Sequence, residues 1–448
     1  MSGGNPKSII DDGAMGVAQW VAVLVTVGLN ALDGFDVLSI SFASPGIARE
    51  WGIDKAILGW VLSMELLGMA AGSLLLGGVA DKIGRRPTIL GCLVAMAAGM
   101  FGAAYAHSVS GLLPWRLLTG LGIGGTLAAI NAAAAELSNR RYRSFAMALM
   151  VIGYPIGGVI GGVFVQKLLA SGSWHAVFVA GGWVTAAFLP IVWRLLPESV
   201  AFLDRRRAPG ALEEVNRVLA RLGHSPAEAL SESESPAKRH SIADILKPGL
   251  LATTVLITFA YFAHITSFYF LIKWVPKIVV DMGFAPQTAA GALTWVSLGG
   301  AIGGALFGLI ATRTGVKPLT VCALLGGALT IVWFGRGAAD LASLKEMLAI
   351  AGLFTNAAIA GLYLLFAQVF PTHVRATGTG FAIGIGRGGA ALAPVIAGYL
   401  FRAGFALETV AVIMACGSLL AAVVLLALKV RDGEELARTG PAAARGAR

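Results

Sequence analysis

Twelve stretches of this 448-residue chain are each long and apolar enough to cross a bilayer, and that removes most of the folds open to it. They fall near 17–38, 56–78, 89–106, 110–135, 144–168, 174–196, 249–275, 287–311, 318–335, 346–370, 377–401 and 405–428. A hydrocarbon core needs about 20 apolar residues in a helix. With no water to satisfy the backbone, only helices or closed barrels span it. The runs are rich in Ala, Leu and Gly and do not alternate, so strands are a poor fit and an all-α polytopic membrane protein is expected. Only 13% of the residues are charged, against about 25% in an ordinary soluble chain.

The net charge of +10 is unevenly distributed. Most lysines and arginines fall in segments that share a side with the N-terminus. That bias predicts both termini in the cytoplasm and a multi-pass protein of the cell inner (plasma) membrane. The charge is therefore topological. No soluble basic domain exists, so no nucleic-acid partner is expected; the lipid bilayer is. Residues 1–16 are polar and lack a cleavage site, which predicts a retained first span. Cys92, Cys322 and Cys416 all lie in spans and read as packing residues, with no metal or cofactor implied.

Six spans precede residue 197 and six follow residue 248. The expected units are residues 1–196, a central cytoplasmic loop 197–248, and residues 249–448 with the tail. The loop carries Arg205-Arg206-Arg207, a possible amphipathic helix at Ala211–Leu222 on the inner surface, and a Ser/Glu/Pro stretch from Ser231 to Pro236 expected to be mobile. Gly77–Pro87 after the second span and Gly308–Pro318 after the eighth align at their Gly, Ala, cationic and Pro positions, with Asp81 facing Thr312. Matching loops imply two related six-helix bundles and a site near the midplane between them. Two Gly-x-Gly-x-x-Gly patterns, at Gly120 and Gly384, lie inside spans and read as close helix packing rather than nucleotide binding.

Ionisable residues inside spans are the functional candidates. Asp33 and Asp36 share a helix face near the end of the first apolar run. Counting helical rise puts Asp33 roughly 24 Å from the inner end of its span, and Arg116 roughly 9 Å from the outer end of the fourth. Both then fall in the outer half, where an acid–base cluster would exchange a proton as a coupled unit. Glu65, a further acid in the second span, joins Asp33, Asp36 and Arg116 as a proton-coupling candidate and raises the question of a second proton. Arg387, mid-span in the eleventh, would grip a carboxylate with paired hydrogen bonds, or pair structurally with Glu65. His264 would relay a proton or bond an aromatic hydroxyl, or simply pack. Asn356 is a polar contact or a helix–helix bond. Lys273, near an outer helix end, reads as snorkelling. Tyr261, Phe262, Phe268, Tyr269, Tyr363 and Phe366 would wall a planar ligand.

The Gly77–Pro87 loop and the six-plus-six division resemble the major facilitator superfamily. Within it, Asp33-Gly34-Phe35-Asp36, the Arg116–Gly125 stretch, Pro197-Glu198-Ser199, Lys273-Trp274-Val275-Pro276 and the segment from Phe370 to Arg387 are similar to the aromatic acid:proton symporter family. Thr312, Lys273 and Glu65 depart from that pattern. The resemblance implies a monomeric proton-coupled importer of an aromatic carboxylate, working by rocking of two bundles. It also assigns Asp81, Arg85, Arg86, Glu136, Arg140, Arg141 and Arg375 to a charge network that holds the bundles together when the inner side is shut. Rivals are a carrier of a non-aromatic organic acid, an exporter suggested by Tyr154-Pro155-Ile156-Gly157-Gly158, and a membrane sensor. No nucleophile–base constellation points to an enzyme.

Overall fold

A computed structural model describes residues 5–231, 242–337, 340–371 and 374–428. Among them, secondary structure is entirely helical. In chain order the helices are α1 (Pro6–Asp12), α2 (Val17–Trp51), α3 (Lys55–Ile83), α4 (Arg85–Ala104), α5 (Val109–Glu136), α6 (Arg143–Ser171), α7 (His175–Leu195), α8 (Val200–Arg206), α9 (Ala211–Leu222), α10 (Ile242–Ile245), α11 (Pro248–Asp281), α12 (Pro286–Thr314), α13 (Val316–Gly335), α14 (Leu341–Val369), α15 (Arg375–Arg402) and α16 (Leu407–Ala427). Twelve of these, α2–α7 and α11–α16, are long and apolar enough to cross a membrane. The Ser/Glu/Pro stretch beyond Ser231 lies outside the described residues. Spans alternate in direction, so residue 5, the central connection and residue 428 share one side, here the terminal side; the other is the far side.

Two helices overrun their apolar runs. α2 continues to Trp51 instead of ending near 38, and α11 continues to Asp281 instead of 275. Each holds a proline, Pro45 or Pro276, at the same register from its start. A helix proline strips the donor from the carbonyl four residues back. In α2 that carbonyl belongs to Ser41, and the Ser44 hydroxyl supplies the missing donor at 2.8 Å. The Ser-Pro segment that reads as a helix end is thus a patched helix interior.

Small residues set the packing. Gly68 and Gly72 of α3 lie against the α5 backbone, while Gly120 and Gly124 of α5 lie against the α3 backbone at Glu65 and Met69. Glycines four apart on both helices let backbones touch. The glycine pattern at Gly120 is therefore the α3–α5 seam. At Gly386 and Gly389 the neighbours are Tyr261 and Phe262 of α11. α2–α7 pack among themselves, as do α11–α16; the two groups meet along α3–α15, α6–α12 and α2–α11.

α9 forms where expected, with Val215, Leu219 and Leu222 buried. It docks on protein rather than on an open inner surface. Its end abuts Gly16, and the ring of His224 just beyond meets Gln19 Oε1 at 3.0 Å.

A methyl at Gly120 would drive into the Glu65 carbonyl, whereas one at Gly78 meets nothing within 4 Å. Gly120→Ala is expected to cost about 1–3 kcal/mol through overpacking. Gly78→Ala is expected to be neutral or stabilising by up to about 1 kcal/mol. Thermal melts of the detergent-solubilised protein check the pair.

Candidate functional site

The site begins with a helix that does not stop. Because α2 is 35 residues long, Asp33 and Asp36 sit at its middle, not near its outer end. Both side chains are buried, and none of their four carboxyl oxygens hydrogen-bonds a protein group. Asp33 interacts electrostatically with Asp36 and with Arg387 of α15. Asp36 interacts with Arg116 and Glu65. Gly34, between the two acids, lies so close to the Tyr154 backbone carbonyl that only glycine fits.

Arg116 is fully buried, and its ion pair is with Glu65, at 2.6 Å. This corrects the expectation that it pairs with the aspartate carboxyls. Toward α2 it reaches the Asp36 backbone carbonyl at 3.4 Å and the Ser39 hydroxyl at 3.3 Å. Phe178 covers the guanidinium at 5.1 Å. The α3–α5 glycine seam explains the pairing, since it places Glu65 against the Arg116 helix.

Glu65 has a second partner. Lys273 Nζ approaches Glu65 Oε2 at 3.4 Å and bonds the Val37 carbonyl of α2. Lys273 is 0% exposed and does not snorkel. The reason is again helix length: α11 runs two turns past it, so the lysine lies inside the span. Glu65, Arg116 and Lys273 thus form a fully buried triad crossing the two groups. Arg387 does not pair with Glu65; its Nη1 bonds the Met69 carbonyl at 3.0 Å, one turn along α3.

The polar contacts joining the groups descend α3 from its far end. They are Lys55 with Asp281 at 3.1 Å, the Ser63 hydroxyl with the Ala391 carbonyl at 2.6 Å, the Glu65–Lys273 pair, and Met69 with Arg387. The groups are therefore joined from the far side to the middle.

Below the triad the lining becomes aromatic. Tyr261, Tyr269 and Lys273 recur at helical spacing on α11. The Tyr261 and Tyr363 hydroxyls meet at 3.1 Å, and Phe366 packs edge-on to Tyr261 with ring centres 5.4 Å apart. Phe268 makes an edge contact with Tyr269. Tyr269 interacts electrostatically with Arg387, Tyr363 and Glu65. Tyr363 is 42% exposed and Arg387 half-buried.

Other candidates lie elsewhere. His264 uses both ring nitrogens inside its own group, with the Ser418 hydroxyl at 2.9 Å and the Thr355 carbonyl at 3.0 Å, so it ties three helices and reaches no aromatic hydroxyl. Asn356 bonds the Gly352 carbonyl of its own helix at 3.0 Å and packs on Gly300. Among the described residues, the terminal-side charges form a network within the first group. Arg85 pairs with Asp81 at 2.9 Å and Glu136 at 3.1 Å. Glu198 accepts the backbone N–H of Arg85 at 2.9 Å and of Arg86 at 3.3 Å. Arg375, in the second group, bonds the Phe370 carbonyl at 3.4 Å. Arg140 pairs with Asp12, and Arg141 stacks on Tyr142. In the second loop copy, Lys317 bonds the Leu428 carbonyl at 2.7 Å instead of building an equivalent network.

The Major Facilitator Superfamily pattern matches residues 26–291 and again 257–447. The chain belongs to this superfamily. It is a transporter-family protein, not an enzyme. It is 29% identical to a gallate transporter of Pseudomonas putida, over 97% of this chain and 96% of that one. It is 30% identical to the 4-hydroxybenzoate transporter PcaK of the same species, over 86% and 87%. Its fold is that of the xylose transporter XylE from E. coli, with a TM-score of 0.70 at 16% identity over 91% and 97% of the two chains.

Two site residues escaped sequence reasoning: Lys273 as an interior charge, and Tyr154. Tyr154 falls in the Tyr154–Gly158 segment that suggests an exporter. Its hydroxyl is buried near Asp33, Glu65 and Tyr269. The one signal for it in the chain is a tyrosine beside Pro155 inside an apolar span.

Glu65→Gln leaves Arg116 and Lys273 without their shared anion and is expected to cost about 3–5 kcal/mol. Lys273→Met leaves Glu65 paired with Arg116 and should cost distinctly less. Thermal melts that rank Lys273→Met as the worse variant would contradict the arrangement.

Proposed function

We propose that this protein is a proton-coupled importer of an aromatic carboxylic acid of the hydroxybenzoate type, working by alternating access. The observation that carries the reading is the central cluster. Two buried carboxyls without protein donors, Asp33 and Asp36, share a helix face, and Asp33 interacts with a cation, Arg387, that belongs to the other six-helix group. A buried carboxylate without a donor is costly, so the pair calls for a proton, a cation or water. Arg387 keeps a guanidinium available for a substrate carboxylate, and Tyr261, Tyr269 and Tyr363 offer ring surface beside it. The relatives named as gallate and 4-hydroxybenzoate transporters support the substrate class.

In this reading the structure is the inward-facing state, closed on the far side by Lys273 on Glu65 and Val37. The terminal-side network of Asp81, Arg85, Arg86, Glu136 and Arg375 would close in the opposite state, when Arg375 meets the first group. The lysine and arginine distribution supports cytoplasmic termini in an inner membrane. Asp33 and Asp36 carry the proton, while Glu65 and Arg116 hold the layer above them. A monoanion moving with one proton carries no net charge. A second proton would add about 2.3 kcal/mol per 100 mV of membrane potential.

Uptake into proteoliposomes tests this. Wild type is expected to accumulate hydroxybenzoates under a pH gradient, with little response to voltage. Asp33→Asn and Asp36→Asn are expected to lose uphill accumulation at least tenfold while keeping downhill exchange. Arg387→Lys should raise the substrate KM. Uphill accumulation by both asparagine variants would reject the coupling, and preference for aliphatic acids would reject the substrate class.

A further inference from the structure

We propose that Tyr154, on α6, reads a ring hydroxyl of the substrate and so distinguishes hydroxylated aromatic acids from plain ones. This rests on the aromatic-acid reading above and adds a specificity residue to it.

Nearly all buried polar groups in folded proteins are hydrogen-bonded. The Tyr154 hydroxyl is buried, and its one side-chain partner is Tyr269 of the other group, which leaves a phenol further hydrogen-bonding capacity. Both carboxyl oxygens of Asp33 are without a protein donor. Three helices, α2, α6 and α11, thus bring hydrogen-bonding groups to one place with capacity unspent.

The position is rigid. Asn30 bonds the Met150 carbonyl at 2.8 Å one turn before Tyr154. The Tyr154 backbone itself presses on Gly34, between the two aspartates. The tyrosine cannot leave Asp33 unless the α2–α6 seam opens.

A phenol both donates and accepts. A ring hydroxyl entering here would donate to Asp33 and accept from Tyr154, while the ring's carboxylate meets Arg387 of α15. Each end of the ligand would then touch a different six-helix group, with Asp33, the proposed proton carrier, at the hydroxyl end. A site built to bond a hydroxyl rejects the analogue lacking it, because its own buried groups stay unpaired.

The test compares benzoate with 3- and 4-hydroxybenzoate in wild type and Tyr154→Phe, as uptake KM in proteoliposomes and as binding to the purified carrier by calorimetry. Tyr154→Phe keeps the ring and removes only the hydroxyl. Wild type is expected to favour at least one hydroxylated acid by about tenfold or more, in line with one or two hydrogen bonds. Tyr154→Phe is expected to erase most of that ratio and leave benzoate within about twofold. An unchanged ratio, or an equal loss for all three acids, overturns the proposal. So does a wild type that does not discriminate. A wild type that neither binds nor moves any aromatic acid rejects the substrate class itself.

Discussion

Glu65 is held between two cations from opposite sides of the molecule, Arg116 of its own six-helix group and Lys273 of the other. All three side chains are fully buried. Taking such charges out of water costs several kcal/mol each, repaid only by close partners. The triad therefore exists only while α3, α5 and α11 are pressed together. Its geometry fixes where the two groups touch.

The triad by itself has one positive charge too many. Asp36 is the nearby acid, interacting with Arg116 and Glu65 while bonding neither. Ionised, it balances the layer. Carrying a proton, it leaves a positive excess in a buried place. In the proposed cycle that links the proton to the substrate, because the excess favours an arriving carboxylate and weakens the case for keeping Lys273 buried. A third cation, Arg387, sits one helical turn of α3 away and is only half-buried.

The twelve spans were legible because apolar length is a crude and strong signal, and the repeated loops announced two bundles. Helix ends were not legible at α2 and α11, and the shifted depths of Asp33, Asp36 and Lys273 follow from that. Ser39 to Pro45 looks like a terminus, yet Ser44 supplies the donor that Pro45 removes. The longer helix moved Asp33 to mid-depth, and the longer α11 moved Lys273 inside. The Glu65–Arg116 pair was half-written in the chain. Gly68, Gly72, Gly120 and Gly124 specify that α3 and α5 touch, but only a fold specifies which acids that contact lifts to which cation. His264 could not be placed at all, since its partners Ser418 and Thr355 come from distant spans with no sequence link to it.

The account stands or falls on whether the Lys273–Glu65 contact keeps the far side shut. The direct measurement is the distance between spin labels at Arg49→Cys on α2 and Ala285→Cys before α12, both exposed and on opposite groups, with Cys92, Cys322 and Cys416 replaced. With Lys273 intact, the account predicts a dominant short distance. With Lys273→Met, it predicts a shift of population to a longer one, with no substrate present. An identical distance distribution in the two proteins would contradict it.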